Sequence, residues 1–368
     1  MRNRLSSRRA KTACALAASA CVVLGAGCSD SNSEPSVQPT TADTVPETAP
    51  TTSQSPATTV APSTTEAPAT TTTVPGPLVY PLTGLLATDL AAFAHPALVV
   101  KIDNAPGARP QTGFNAADIV VEEIINAHIT RFAMVFQSQG GESVGPIRSG
   151  RIQDINLFGS FNHPLFAWSG GNKTVTAAVD ASDLVNLSQL RAKGYFRTED
   201  RVTPHNLYAY TSVLWKQAPP GSLPPVQQFT YRAAGIAPAG VPSAGVNIAL
   251  DSIDVEWAWD AAAGLYRRRM EHKVHDDAAA GQVTTNNVVV LVMEYLPGIS
   301  DSPDAQTIGT GEAFIFSAGN YVHAKWSRDD RLKPFTLTAD DGSVVKLTPG
   351  RTFIELPRTQ GTQPLPAP

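Results

Sequence analysis

Alternating apolar and polar positions predict β-strands through much of the chain after residue 78. Residues 98–103, Leu-Val-Val-Lys-Ile-Asp, form the first strong strand pattern and run into the turn sequence Asn-Ala-Pro-Gly. A branched apolar run at 119–125 and an alternating run at 129–136 are separated by three residues, which predicts a hairpin. Beyond the Gly/Pro-containing loop at 144–151, the apolar spacing predicts a helix with Asp154 in its first turns.

The second half of the chain shows one strand pattern after another. Residues 255–260 alternate, and residues 288–295 are apolar on both faces, as expected of a central strand. Apolar segments on either side of residues 319–320 and 340–343 predict two hairpins. The pattern therefore predicts an α+β protein, with a mixed α/β amino-terminal domain followed by a mainly antiparallel β carboxy-terminal domain.

Composition divides the 368 residues further. An apolar share of 42 %, with 30 prolines and 27 glycines, is typical of a globular body with many turns. Proline-rich stretches within residues 217–245 indicate an interdomain connection. The predicted segments are a signal peptide (1–28), a disordered tether (29–77), an amino-terminal domain (78–216), a connection (217–245), a carboxy-terminal β domain (246–357) and a disordered tail (358–368).

The amino-terminus has the pattern of an export signal. A basic segment at 2–11 precedes an apolar run at 12–27 that is short for a bilayer span. The run ends in Leu-Gly-Ala-Gly before Cys28, which resembles a bacterial lipobox and implies lipid attachment to that sulfur. Because Leu24 stands four rather than three residues before Cys28, Cys21 is a competing site, and an ordinary signal peptide is a further alternative. The export route stays open.

Residues 29–77 have the composition of a spacer. They contain 14 threonines, nine prolines and seven serines, with no aromatic residue, so they offer little apolar surface to offset the entropy of ordering. The prolines favour extended polyproline conformations. This segment predicts a tether that holds the body away from a membrane, and its threonines are potential glycan acceptors.

The charge balance argues against a nucleic-acid partner. Residues 78–368 carry 23 basic and 27 acidic side chains, whereas a nucleic-acid protein needs a net basic face to displace phosphate counterions. All three cysteines lie in residues 1–28, so the body has no thiol for catalysis or for a zinc site. No cofactor is predicted.

Seven motifs follow one another along the body: Lys101-Ile102-Asp103-Asn104, Ala108-Arg109-Pro110-Gln111-Thr112-Gly113, Ala117-Asp118-Ile119-Val120, Glu122-Glu123, Ile129-Thr130-Arg131-Phe132, Val144-Gly145-Pro146-Ile147-Arg148-Ser149 and Pro204-His205-Asn206-Leu207-Tyr208. They resemble the YerB-like lipoprotein family, a domain of unknown function (number 3048) found in Gram-positive bacteria. The resemblance covers most of residues 80–357 and implies an envelope lipoprotein with an amino-terminal and a carboxy-terminal family domain, but no reaction. At 126–128 the chain has Asn-Ala-His, where the family usually has an acidic residue and two glycines.

Arginines in these motifs suggest an anion site. Arg148 and Arg151 flank Ser149 and Gly150 just before the predicted helix, where guanidinium and backbone N–H groups suit a carboxylate or phosphate. The alternative is a structural network with nearby acidic residues. The candidate ligand-binding residues are Asp103, Asn104, Arg109, Gln111, Arg131, Arg148, Ser149, Arg151, His205 and Asn206.

A catalytic site is the weaker hypothesis. Ser169, followed by two glycines, is a candidate nucleophile, His205 a candidate base and Asp103 the residue that orients it. Glu123 is a further candidate acid, although its neighbour Glu122 should point to the opposite face of the strand. No G-x-S-x-G elbow is present, and no spacing predicts a metal site.

The sequence therefore predicts a lipid-anchored extracytoplasmic protein of the cell envelope that binds an anionic ligand or serves as a scaffold. A cell-wall polymer or an envelope protein is the expected partner. The alternative is an envelope hydrolase or transferase acting on cell-wall material.

Overall fold

The structure is a computed structural model that describes residues 77–126, 129–358 and 361–367, apart from the side chain of Asp301. The predicted export signal, Cys21, Cys28 and the tether up to residue 76 lie outside the described residues. Within the described ranges, no helix has the length and apolarity needed to cross a membrane.

The described residues are mostly β-structure with few helices. The strands are β1 Leu98–Asp103, β2 Ile119–Asn126, β3 Ile129–Phe136, β4 Leu165–Ala167, β5 Val185–Asn186, β6 Tyr195–Arg197, β7 Leu207–Ala209, β8 Val241–Leu250, β9 Ile253–Asp260, β10 Leu265–Met270, β11 Lys273–Val274, β12 Asp276–Asp277, β13 Gly281–Gln282, β14 Thr284–Thr285, β15 Asn287–Leu291, β16 Tyr295–Pro297, β17 Pro303–Ala305, β18 Gly309–Ser317, β19 Asn320–Arg328, β20 Thr336–Ala339, β21 Thr352–Leu356 and β22 Thr362–Pro366. The α-helices are α1 Leu90–Phe93, α2 Gln153–Leu157, α3 Lys173–Ala181 and α4 Thr211–Trp215, and single 3₁₀ turns lie at Pro106–Ala108, Phe114–Ala116, Gly159–Phe161 and Ile299–Asp301.

One large sheet runs through both halves of the described chain. Its strand order is β11-β10-β9-β8-β19-β18-β15-β21-β2-β3-β1-β4-β5. Strand β21, near the carboxy-terminus, lies parallel to β15 on one side and to β2 on the other. All five of its residues are buried, as expected of a strand with neighbours on both edges and packed faces. The two predicted domains therefore share a continuous sheet.

Local patterns locate many of these strands. The predicted strand at 98–103 is β1, and β2 and β3 pair antiparallel as the hairpin pattern predicts. Strands β18 and β19 pair antiparallel around residues 318–319. The longest described helix, α3, has nine residues, so helix content does not confirm a mixed α/β amino-terminal domain. Strands β1, β4 and β5 are nevertheless parallel to one another.

Residues 361–367 differ from the predicted disordered tail. Strand β22 pairs antiparallel with β8, and the Ser243 hydroxyl donates a hydrogen bond to the Leu365 carbonyl at 2.7 Å. The prolines of this segment are tolerated because β22 is an edge strand. On its outer edge a missing N–H removes no hydrogen bond to a neighbouring strand.

Apolar side chains fill both faces of the sheet. Trp257 belongs to the core cluster on one face and Trp326 to the cluster on the other, and both are buried. Although an exposed row of aromatic rings would suit glycan stacking, these two tryptophans are core residues on opposite faces of the sheet. The charged composition of residues 271–277 is typical of a solvated turn, yet His275 within this segment is buried against Phe114 and Phe132.

Candidate functional site

Asp103 is the centre of a charged cluster at the carboxyl end of β1. It is buried, and its Oδ2 lies 2.7 Å from Nδ1 of His205 and 3.1 Å from Nε of Arg148. Its Oδ1 accepts a hydrogen bond from the Ala105 N–H at 3.2 Å. Burial alone would raise the pKa of Asp103, yet the His205 hydrogen bond and the charges of Arg131 and Arg148 outweigh it and hold the pKa below its usual value. Asp103 is therefore a carboxylate at neutral pH.

Backbone pairing brings the distant members of this cluster together. The segment 144–148 runs between β1 and β7, with the Arg148 N–H bonded to the Lys101 carbonyl and the Ile147 N–H bonded to the Leu207 carbonyl. His205 lies two residues before β7, and so reaches the end of β1. The end of β4 joins the same edge because the Ser169 N–H bonds to the Arg148 carbonyl at 2.9 Å. The carboxyl ends of parallel strands are a common location for ligand sites.

Arg131 and Arg148 lie beside Asp103, and Arg151 lies near both of these arginines; we call Arg131, Arg148 and Arg151 the arginine cluster. Arg131 faces Asp103 across the β1–β3 pair, and its Nη1 donates to the Ser149 carbonyl at 3.0 Å. Burial lowers the pKa of Arg131 to about 10, and the positive charges of Arg151 and Arg148 act in the same direction. Burial also lowers the pKa of Arg151, with Arg148 contributing. Each positive charge disfavours the charged form of its neighbours.

Much of the hydrogen-bonding capacity of the arginine cluster is unused. The terminal nitrogens of Arg148 and Arg151 bond to no described residue, and Nε of Arg131 and Nε of Arg151 are buried without a partner. The Arg148 side chain is 31 % exposed. A cavity of about 230 Å³ next to Arg151 is lined by Ser149, Gly150, Arg151, Ile152, Gly171, Asn172, Val175, Ile299, Ser300 and Ser302, so Arg148 directly precedes this lining in the chain without being part of it. Free guanidinium nitrogens next to a cavity fit an anionic group.

A second, fully buried network lies beneath the arginine cluster. Nζ of Lys101 contacts Oε1 of Glu123 and lies 2.8 Å from Oδ1 of Asp154. Gln153 donates to the other oxygen of Glu123 at 2.6 Å. Glu123 is thereby enclosed as a structural ion-pair partner, with no exposed surface for substrate. Asp154 also accepts the Arg151 N–H at 2.6 Å, which shapes the loop that presents Arg151.

Burial raises the pKa of Asp154 to about 6, and the neighbouring Glu123 charge acts in the same direction. Lys101 opposes both effects. Lys101 is therefore the counterion of both Glu123 and Asp154 in a buried site, and the charge state of each group depends on the other two.

Four candidate ligand-binding residues support the backbone rather than face the cavity. Arg109 donates to the Asn104 carbonyl at 2.9 Å and forms an ion pair with Glu271. Gln111 donates to the Asp103 carbonyl at 2.9 Å. Asn104 donates to the Thr130 hydroxyl at 2.7 Å, and Asn206 donates to the Thr198 carbonyl at 2.9 Å.

Ser169 does not form a nucleophile–base pair with His205. Its hydroxyl donates to Oε1 of Gln189 at 2.7 Å. The Trp168-Ser169-Gly170-Gly171 segment instead leads into α3, whose N-cap Asn172 accepts the Val175 N–H. Asn172 and Gly171 line the cavity, and sequence reasoning missed them, although an asparagine before a helical segment is a recognisable N-cap signal. Among the described residues, no group of three potential ligands is arranged to hold a metal ion.

The described residues form a mainly β fold with a cationic site at the carboxyl end of β1. Two family models match it: the DUF3048 (protein of unknown function) N-terminal domain over residues 82–222 and the DUF3048 C-terminal domain over residues 246–354. The chain therefore belongs to the DUF3048 family.

Relatives agree with this assignment. The protein named "Putative lipoprotein YerB" from Bacillus subtilis (strain 168) is 28 % identical over 287 residues, covering 75 % of this chain and 85 % of the relative. A crystal structure of YerB from Bacillus subtilis matches with a TM-score of 0.67 at 24 % identity. The match covers 76 % of this chain and 96 % of that one, and it shows the fold.

Proposed function

We propose that this protein is a lipid-anchored, extracytoplasmic lipoprotein that binds an anionic group of the cell envelope. The relative named as a lipoprotein and the lipobox-like sequence before Cys28 support the anchor. Membrane attachment through lipid then leaves the folded body free to contact cell-wall polymer or an envelope protein.

The arginine cluster is the observation that carries the binding function. Arg131 and Arg148 lie beside the Asp103 carboxylate, the terminal nitrogens of Arg148 and Arg151 bond to no described residue, and Arg151 lines the cavity. Buried or half-buried cations are normally paired, because removing them from water without a partner costs free energy. An anion in the cavity supplies a partner for the unbonded nitrogens of Arg151, while Arg148 and Arg131, both close to Asp103, add to the local positive potential.

The double variant R148A/R151A tests this function. We expect retention of the full-length protein on purified cell wall to fall at least about tenfold, since each lost charge-assisted hydrogen bond contributes roughly 1.5–3 kcal/mol. R267A/R269A is the matched control: it also removes two charges, but from exposed residues already paired with Asp260 and Glu256. Retention of R148A/R151A equal to that of the control would contradict the proposal.

A second function, envelope hydrolase or transferase, is favoured by the 2.7 Å contact between Asp103 and His205. A carboxylate bonded to one nitrogen of a half-exposed imidazole is the arrangement of a general base and its orienting residue. Ser169 has no part in this version, since its hydroxyl bonds to Gln189.

A further inference from the structure

His205 presents one free ring nitrogen next to the arginine cluster. Its side chain is 25 % exposed, Nδ1 is bonded to Asp103, and Nε2 contacts no described hydrogen-bonding group. Because the Asp103 carboxylate only accepts, Nδ1 carries the proton in the neutral ring and Nε2 carries the lone pair. The ring also packs on the 106–108 turn, since a Cβ added to Gly107 would lie 3.1 Å from Cδ2 of His205. His205 is therefore held with its basic nitrogen outward.

Arg148 and His205 share a single oxygen of Asp103. Oδ2 is 3.1 Å from Nε of Arg148 and 2.7 Å from Nδ1 of His205. An anion bound by the free terminal nitrogens of Arg148 therefore lies beside the imidazole. An imidazole base next to the bound anion favours a phosphodiester over a carboxylate as the ligand. A carboxylate is a poor electrophile, whereas in a phosphodiester the anionic group is itself the centre that a nucleophile attacks.

We propose that the site hydrolyses a phosphodiester, with His205 as general base. Nε2 of His205 takes a proton from water as the water oxygen bonds to phosphorus. The bond from phosphorus to the leaving oxygen breaks, and that oxygen takes a proton from solvent, giving a phosphomonoester and an alcohol. Imidazolium then returns its proton to solvent. Arg148 and Arg151 stabilise the charge on the phosphoryl oxygens, and Asp103 is a positioning residue. This inference rests on the proposed anion site.

Hydrolysis of bis(4-nitrophenyl) phosphate by the full-length protein is the first test. We expect His205→Ala to lower the rate at least about 100-fold, the usual scale of general-base catalysis, with partial recovery on adding imidazole. His323→Ala is the control, because His323 lies on β19 and pairs with Glu312 and Asp340, away from the site. It should hydrolyse the probe at the wild-type rate.

Phosphate binding separates the two proposals. Inorganic phosphate should still bind to His205→Ala, which also shows that the variant is folded, and should bind much more weakly to R148A/R151A than to His205→Ala. Wild-type protein that binds phosphate without hydrolysing the probe would overturn the catalytic inference and leave the binding function intact. Failure of both measurements would overturn both proposals.

The source of the phosphodiester is decided by ³¹P NMR with two substrates, phosphatidylglycerol vesicles and purified cell wall. Appearance of a phosphomonoester signal in one of them identifies a lipid headgroup or a wall polymer as the substrate. No signal from either, together with an inactive probe assay, contradicts phosphodiester hydrolysis.

Discussion

Nδ1 of His205 and Oδ2 of Asp103 lie 2.7 Å apart although 102 residues separate them in the chain. The carboxylate should hold the neutral imidazole in the tautomer with the proton on Nδ1. In Asp103→Asn the amide both donates and accepts, so we expect a mixture of tautomers. Long-range ¹⁵N–¹H NMR of the histidine ring nitrogens above neutral pH measures this directly. A wild-type ring with its proton on Nε2 would contradict the arrangement.

Arg268 holds together two buried carboxylates from distant parts of the chain. It contacts Glu122 of β2, lies 3.5 Å from Glu355 of β21, and is surrounded by aromatic rings. Burial raises the pKa of Glu355 well above its usual value, with the Glu122 charge adding to the effect. Removing the guanidinium leaves both acids without a counterion. We expect Arg268→Met to lower the free energy of unfolding by about 3–5 kcal/mol, measured by urea denaturation.

The triple variant R268M/E122Q/E355Q is the matched control for this network. Neutral amides replace the stranded carboxylates, so most of the lost stability should return. If Arg268→Met alone unfolds within about 1 kcal/mol of wild type, the network is not the stabilising element described.

Asp118 should make stability depend on pH in a defined window. It accepts hydrogen bonds from the Gln137 and Ser138 N–H groups, yet burial raises its pKa from 3.8 to about 6. Because the pKa of Asp118 is higher in the folded state than in the unfolded state, protonation of Asp118 stabilises the fold. This stabilisation is complete below the unfolded-state pKa and is lost as pH rises through about 6. The stability of wild type relative to Asp118→Asn should therefore fall by up to about 3 kcal/mol between pH 4 and 7. Parallel denaturation series measure it, and a constant difference would refute the titration.

Gly245 is required by the close approach of β8 and β9. Its φ is +135°, and an added Cβ would lie 1.9 Å from the Trp257 carbonyl oxygen. Strain and overlap together should destabilise Gly245→Ala by more than about 3 kcal/mol in thermal or urea unfolding. Gly264→Ala is the comparison, since Gly264 also has a positive φ of +66° but nothing within 4 Å, and should lose only about 1 kcal/mol. Equal losses would show that overlap with Trp257 is not the cause.

Part of the site could be predicted from local sequence. The sequence places Asp103 next to the turn after β1, and Arg148 and Arg151 in the Gly/Pro loop before α2. Polar side chains in such loops commonly bind ligands. Ser169 was harder to judge, because a hydroxyl before two glycines has the same appearance in a turn as in a nucleophile. Only the contact with Gln189 distinguishes the two.

His275 illustrates the same limit in the second half. Its neighbours are charged, which indicates a solvated turn, but tertiary packing buries it against Phe114 with a hydrogen bond to Gln111 at 3.1 Å. No periodicity within residues 271–277 encodes these partners, because both lie more than 160 residues earlier.

The sequence by itself determined the strands, the β2–β3 hairpin and the positions of the arginines, because apolar alternation and turn chemistry act over a few residues. Tertiary structure decided that β21 lies between β15 and β2, that Arg268 lies between Glu122 and Glu355, and that His205 meets Asp103. Those pairings depend on contacts between strands that are distant in the chain, which bury apolar side chains and bring opposite charges together. The free energy of forming them is set by the whole sheet rather than by any one segment.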